Sequence, residues 1–130
     1  MMQKMNEITK IIIDCAYKVH QTLGPGLLES VYQSAISYEL KNHNLKIEEQ
    51  VPISVKYRGV DLSVGFIADI IVEEKIIVEL KSVDHIAPVH KKQLLTYLRL
   101  ADKRLGLLIN FNEALIKNGI TRIVNNLLEE

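Results

Sequence analysis

The sequence predicts a layered α/β domain in which helices pack against a mixed β-sheet. Three observations carry that prediction. Apolar residues recur at helical spacing in two N-terminal segments and again between residues 88 and 103. Between those segments lie one alternating stretch and several β-branched runs that do not alternate, the pattern of strands covered on both faces. The resulting order is two helices, three strands, a helix and a strand, which builds layers around one core.

From about Asn6 to Leu23, the residues Ile8, Ile12, Cys15, Ala16, Val19 and Leu23 share one helical stripe, and Gly24-Pro25-Gly26 ends it. A second helix, about Leu28 to His43, turns Val31, Ala35, Ile36 and Leu40 to its apolar side, and Asn44 suits a left-handed cap. Val51, Ile53, Val55 and Tyr57 alternate with polar neighbours, indicating a half-buried strand. Pro52 implies an edge or a bulge at its start. Arg58-Gly59 turns the chain into a strand from about Val60 to Val72, and Glu73-Glu74-Lys75 turns it again into Ile76 to Val83. The runs Ile70-Ile71-Val72 and Ile76-Ile77-Val78 place these strands in the covered centre. Pro88 suits the first turn of a helix reaching Lys103, whose buried stripe is Leu94, Leu98 and Ala101. Gly106 to Phe111 forms another two-sided strand, and Gly119 to Leu128 is either a helix or a final strand.

Composition excludes several function classes. The 130 residues suit a single domain spanning 1–130. Sixteen Lys and Arg balance sixteen Asp and Glu, so the chain is no nonspecific polycation, although local basic patches stay open. Its one cysteine, Cys15, rules out an internal disulfide and a Cys-based zinc site, and its place on an apolar stripe marks an inert buried thiol. No apolar run approaches the ~18 residues of a membrane span, and MMQKMNEITK lacks the apolar core of a secretion signal. A soluble cytoplasmic protein with no membrane partner is expected. Gly24-Pro25-Gly26 lacks the Lys-Ser/Thr of a phosphate loop, and Pro88 separates His85 from His90, so neither makes a site.

The informative charges are those inside covered strands. Asp69 interrupts Phe66-Ile67-Ala68-Asp69-Ile70-Ile71-Val72, while Glu79 and Lys81 interrupt Ile76-Ile77-Val78-Glu79-Leu80-Lys81. Ionised groups are almost never buried without partners. Glu79 and Lys81 are two apart and share a face. A hairpin symmetric about Glu74 pairs Val72 with Ile76 and sets Asp69 opposite Glu79, where like charges repel. A hard divalent cation between the two carboxylates removes that penalty, because Mg²⁺ favours one or two carboxylates plus waters. Lys81 then stands beside the cation, able to steady an attacking hydroxide or a developing phosphate charge. A competing reading has Lys81 simply neutralise the carboxylates at an exposed strand end.

These residues resemble a known family. Asp69…Glu79-Leu80-Lys81 is similar to the motif of the PD-(D/E)xK nuclease superfamily, and Gly26-Leu-Leu-Glu-Ser-Val-Tyr32 to that of its GxxExxY branch. Gln93-Leu-Leu-Thr-Tyr97 is similar to the QxxxY motif of RecB-like nucleases, and Ala68 stands where the superfamily name has proline. The resemblance implies a restriction-endonuclease-like fold, a central mixed sheet flanked by helices. It also implies that Asp69 and Glu79 bind Mg²⁺, with Mn²⁺ as a substitute, that Lys81 assists catalysis and that Glu29 can complete the metal site. The expected activity is hydrolysis of phosphodiester bonds in nucleic acid, with DNA as the expected substrate. The alternative is a non-catalytic nucleic-acid- or protein-binding module that keeps the fold.

Several residues carry a second reading. Glu29 lies in the first turn of its helix, where the dipole stabilises a carboxylate without a metal. Tyr32 reads as a packing residue with its hydroxyl satisfied. Gln93 reads as a hydrogen bonder that orients the site. Lys92, Thr96, Arg99 and Lys103 form a stripe that either tracks phosphates or is a solvated face.

Overall fold

The computed structural model describes residues 2–127. Helices α1 (Met2–Leu23) and α2 (Glu29–Asn42) precede strands β1 (Ile47–Tyr57), β2 (Val60–Val72) and β3 (Ile76–Lys81). Helix α3 (Pro88–Ala101), strand β4 (Leu105–Asn110), a 3-10 turn (Ile116–Gly119) and strand β5 (Ile120–Val124) follow. The strands form one sheet in the order β1-β2-β3-β4-β5. β3 and β4 run parallel across the α3 connection, and every other neighbouring pair is antiparallel. The α/β class and the mixed sheet are those the sequence predicts.

Burial follows strand periodicity. Ile76, Val78 and Leu80 of β3 pack with Ile12, Ile36 and Leu40 of α1 and α2. Ile77, between them, joins Leu94 and Leu98 of α3 on the opposite face. Each fully buried aliphatic side chain contributes roughly 1.5–3 kcal/mol. A Cβ on Gly106 would lie 3.0 Å from Leu94, so the missing side chain lets α3 sit directly on β4. β1 is an edge strand, as Pro52 implied.

The element boundaries depart from expectation where a second force acts. α1 begins at Met2 rather than Asn6, and Met5 (3% exposed) extends the buried stripe. In α2 the buried residues are Tyr32, Ile36, Ser37 and Leu40, whereas Val31 is exposed; Leu28 lies before the helix in extended conformation. β1 starts at Ile47 rather than Val51, because Ile47, Glu48 and Glu49 pair with Val72, Ile71 and Ile70 despite their charges. β3 stops at Lys81, short of Val83, and α3 ends at Ala101, where Asp102 turns left-handed at φ 54°. β4 spans Leu105–Asn110 instead of Gly106–Phe111. In the tail the strand is the alternative realised, and Leu128 lies outside the described residues.

The β2–β3 turn carries two non-glycine residues in left-handed conformation, Glu73 (φ 53°) and Glu74 (φ 58°), the geometry of a tight hairpin. Two lysines hold it. Lys46 donates its backbone N–H to Glu73 Oε2 at 2.6 Å and its ammonium to Glu74. Lys103 Nζ donates to the Glu74 carbonyl at 2.7 Å. Lys103 is therefore spent on this turn, not on a phosphate-tracking stripe.

Cys15 is 2% exposed, and burial pushes its thiol up to about 11, with the Glu39 and Asp14 charges adding to the rise. The native protein is expected to resist a thiol-specific reagent at neutral pH and to react once unfolded in urea; rapid native labelling would contradict this burial.

Candidate active site

The register Val72↔Ile76, Ile71↔Ile77 and Ile70↔Val78 makes Asp69 and Glu79 the next opposed pair. Here the ladder opens, and side chains replace backbone bonds. Asp69 N–H donates to Glu79 Oε2 at 2.7 Å, and Leu80 N–H donates to Asp69 Oδ2 at 2.9 Å. Each carboxylate thus satisfies the main chain of the other's strand. A buried backbone donor seldom goes unpaired, so this exchange fixes both side chains at the gap.

Glu79 is only 8% exposed. Burial pushes its carboxyl up to about 7, and the Asp69 charge adds to the rise. The Asp69 backbone N–H and Lys81 oppose it, while Glu29 adds a smaller push upward. Asp69, Lys81 and Glu29 therefore all lie within electrostatic reach of Glu79. Among the described residues, no ion pair joins Lys81 to either carboxylate. The neutralising salt bridge does not form.

The Gly24–Glu29 segment is pinned to the site by the residues around it. The Tyr32 hydroxyl donates to the Gly24 carbonyl (2.6 Å) and accepts from Leu27 N–H (3.1 Å), while its ring stacks on Phe111 with centroids 4.5 Å apart. Ser82, next to Lys81, donates its hydroxyl to the Leu27 carbonyl at 2.7 Å. These bonds tie the start of α2, and with it Glu29, to the end of β3. Glu29 is exposed in the first turn of α2. Among the described residues, no group of three or more His, Cys, Asp and Glu side chains is gathered closely enough to hold a metal ion, so Glu29 stands apart from the Asp69–Glu79 pair.

On the other side, α3 contributes Gln93 and Tyr97. Burial raises the Tyr97 phenol above its ordinary range, and the Glu79 and Asp69 charges add to the rise; the neighbouring Gln93 side chain works against it. Tyr97 also stacks on Phe66 of β2. His90, one turn earlier, is occupied: its Nδ1 accepts from Ala87 N–H at 3.0 Å and caps the helix. His20, at the end of α1, bonds through Nε2 to the Glu113 carbonyl at 2.7 Å.

Two residues here have no counterpart in the sequence reading. Asn110 is fully buried on β4 beside Lys81. Its Oδ1 accepts from Val83 N–H (3.1 Å) and Asn112 N–H (3.2 Å), and its Nδ2 donates to the Val83 carbonyl (2.8 Å). It ends β3 just past Lys81 by taking over the backbone of Val83. Asn110→Ala strands these buried groups and is expected to lower stability by roughly 2–3 kcal/mol, read from urea denaturation; an unchanged midpoint would contradict the role. Gln50 is the other: its amide Nε2 donates to Asp69 Oδ1 at 3.3 Å. The only sequence signal for Asn110 is a polar residue closing an apolar run, and a polar residue opening the Val51 strand gave no signal for Gln50.

A family model of the PD-(D/E)XK nuclease superfamily matches residues 6–123. No curated protein and no solved structure gives a match.

Proposed function

The chain belongs to the PD-(D/E)XK nuclease superfamily, and from that premise we propose that it is a divalent-metal-dependent nuclease of the GxxExxY branch that cleaves DNA. Members of the superfamily are generally nucleases that use divalent metal ions, and the five-stranded mixed sheet with flanking helices agrees with their restriction-endonuclease-like fold. Among the described residues, no helix is long and apolar enough to cross a membrane.

One observation carries the reading: two carboxylates meet where the central ladder opens, and one is held near 7 by burial and by the other's charge. Two hard oxygen ligands that repel each other suit Mg²⁺, or Mn²⁺ in its place, completed by water. Asp69 and Glu79 would hold the cation. When bound, it supplies positive charge against the phosphate and eases deprotonation of the attacking water.

The remaining roles belong to the chain itself. Lys81 shares the Glu79 face and has no acidic partner at ion-pair distance among the described residues. Its ammonium would therefore be able to donate to the nucleophile or to a phosphate oxygen as charge develops. Gln93 would orient groups at the α3 side of the site, and Glu29 would add negative charge at the α2 side.

The test is incubation of end-labelled single- and double-stranded DNA and RNA with the protein and Mg²⁺, Mn²⁺ or EDTA. Cleavage of DNA that requires the metal is expected. Binding of nucleic acid without cleavage under any of these metals would favour the non-catalytic module instead.

A further inference from the structure

Gln50 is the point at which the long β1–β2 hairpin changes character. Its φ of 49° is left-handed, a conformation that costs a non-glycine residue energy and is rare inside a strand. Residues two apart in a strand normally share a face. Yet Ile47 packs toward α1 and α2 while Val51 packs toward α3, and across the ladder Ile70 and Ala68 divide in the same way. Both strands therefore exchange faces at one position, Gln50 opposite Asp69.

The side chain of Gln50 uses that position. Its Nε2 donates to Asp69 Oδ1 (3.3 Å) and to Gln33 Oε1 of α2 (2.6 Å). Gln33 Nε2 donates in turn to Glu49 Oε1 (3.3 Å), which also accepts from the Ser37 hydroxyl (2.8 Å). A carboxylate can only accept, so the Gln50 amide has to present its NH₂ to Asp69, and every bond in the chain then has a consistent donor. Asp69 Oδ2 is already held by Leu80 N–H. Both oxygens of Asp69 are thus tethered, one to β3 and one to an amide braced against α2.

We infer that Gln50 is a positioning residue for Asp69, kept in a strained backbone conformation so that α2, through Gln33, sets the orientation of that carboxylate. This rests on the reading of Asp69 as a cation ligand. Partners of metal-binding carboxylates typically change metal affinity by about ten- to a hundredfold when removed.

The test is calorimetric titration of Mn²⁺ into the full chain without nucleic acid, paired with melting curves in EDTA. Gln50→Gly relieves the left-handed conformation and removes the amide. It is expected to melt at or above the wild type while binding Mn²⁺ about tenfold more weakly. Gln33→Ala leaves the Gln50 backbone untouched and is expected to weaken binding in the same direction by a smaller factor. It decides the matter if Gln50→Gly fails to fold. Wild-type affinity in both variants, or in Gln33→Ala alone if the glycine variant is unfolded, overturns the inference while leaving the cation site standing. A wild type that binds no divalent cation overturns the cation site, and this inference with it.

Discussion

Lys81→Ala is expected to lower cleavage by about two to three orders of magnitude, ~3–4 kcal/mol of transition-state stabilisation, while divalent-cation affinity stays close to wild type. The expectation comes from placement. Lys81 sits two residues beyond Glu79 on the same face, and its backbone is locked: Phe111 N–H donates to its carbonyl at 2.9 Å, and Asn110 fixes the chain just after it. Its charge lowers the Glu79 proton affinity without an ion pair, so removing it leaves no buried carboxylate newly stranded. Steady-state kinetics on the preferred substrate, with calorimetric cation binding alongside, checks the split. A Lys81→Ala protein that cleaves at the wild-type rate would refute the catalytic role.

The second large effect is on stability. Glu79 is pushed from 4.5 to about 7, first by burial and then by the Asp69 charge. A carboxyl whose folded value lies above its unfolded one binds its proton more tightly in the native state. Its contribution to stability is therefore greatest below the unfolded value and is lost as pH rises through the folded one. In EDTA, this group alone is expected to cost the protein about 3 kcal/mol between pH 4.5 and pH 7 and above. The charged and titratable groups acting on it are Lys81 on its own strand β3, Asp69 on β2 and Glu29 on α2, with Tyr97 on α3 feeling its charge in return. Glu79→Gln keeps an oxygen for the Asp69 N–H and cannot ionise. It should remove that part of the pH dependence and raise stability at pH 8, as urea titrations across pH would show. A wild-type slope in Glu79→Gln would contradict the assignment.

Asp69, Glu79 and Lys81 are legible in the sequence because each depends on period-two geometry. Charges inside β-branched runs are conspicuous, and a hairpin symmetric about Glu74 fixes their register. Their supports are not legible there, because those depend on contacts between distant segments. Gln50 follows Glu48-Glu49, a polar stretch that conceals a strand paired to the central ladder. Asn110 looks like the polar end of an apolar strand, and only the path of Val83 beside it reveals its role. Tyr32 was legible as a packed residue, but its grip on Gly24 and Leu27 requires knowing that the Gly24-Pro25-Gly26 turn folds back over the helix start. Helical spacing puts Val31 on the apolar side of α2, yet Val31 is exposed and its neighbour Tyr32 is the residue that is fully buried.

The central claim is that Asp69 and Glu79 face each other in order to share a cation, and melting curves of the wild type and Asp69→Asn, each in EDTA and in excess Mg²⁺, test it most directly. A ligand that binds only the folded protein stabilises it by RT ln(1 + [L]/Kd). Mg²⁺ should therefore raise the wild-type melting temperature. Asp69→Asn keeps an oxygen for the Leu80 N–H and gives up the bond from Gln50, whose exposed amide is free to turn to water; it removes one of two like charges and loses most of the metal affinity. It should melt at or above the wild type in EDTA and gain almost nothing from Mg²⁺. If Asp69→Asn is instead destabilised in EDTA and Mg²⁺ moves neither protein, the two carboxylates are structural and the cation site does not exist.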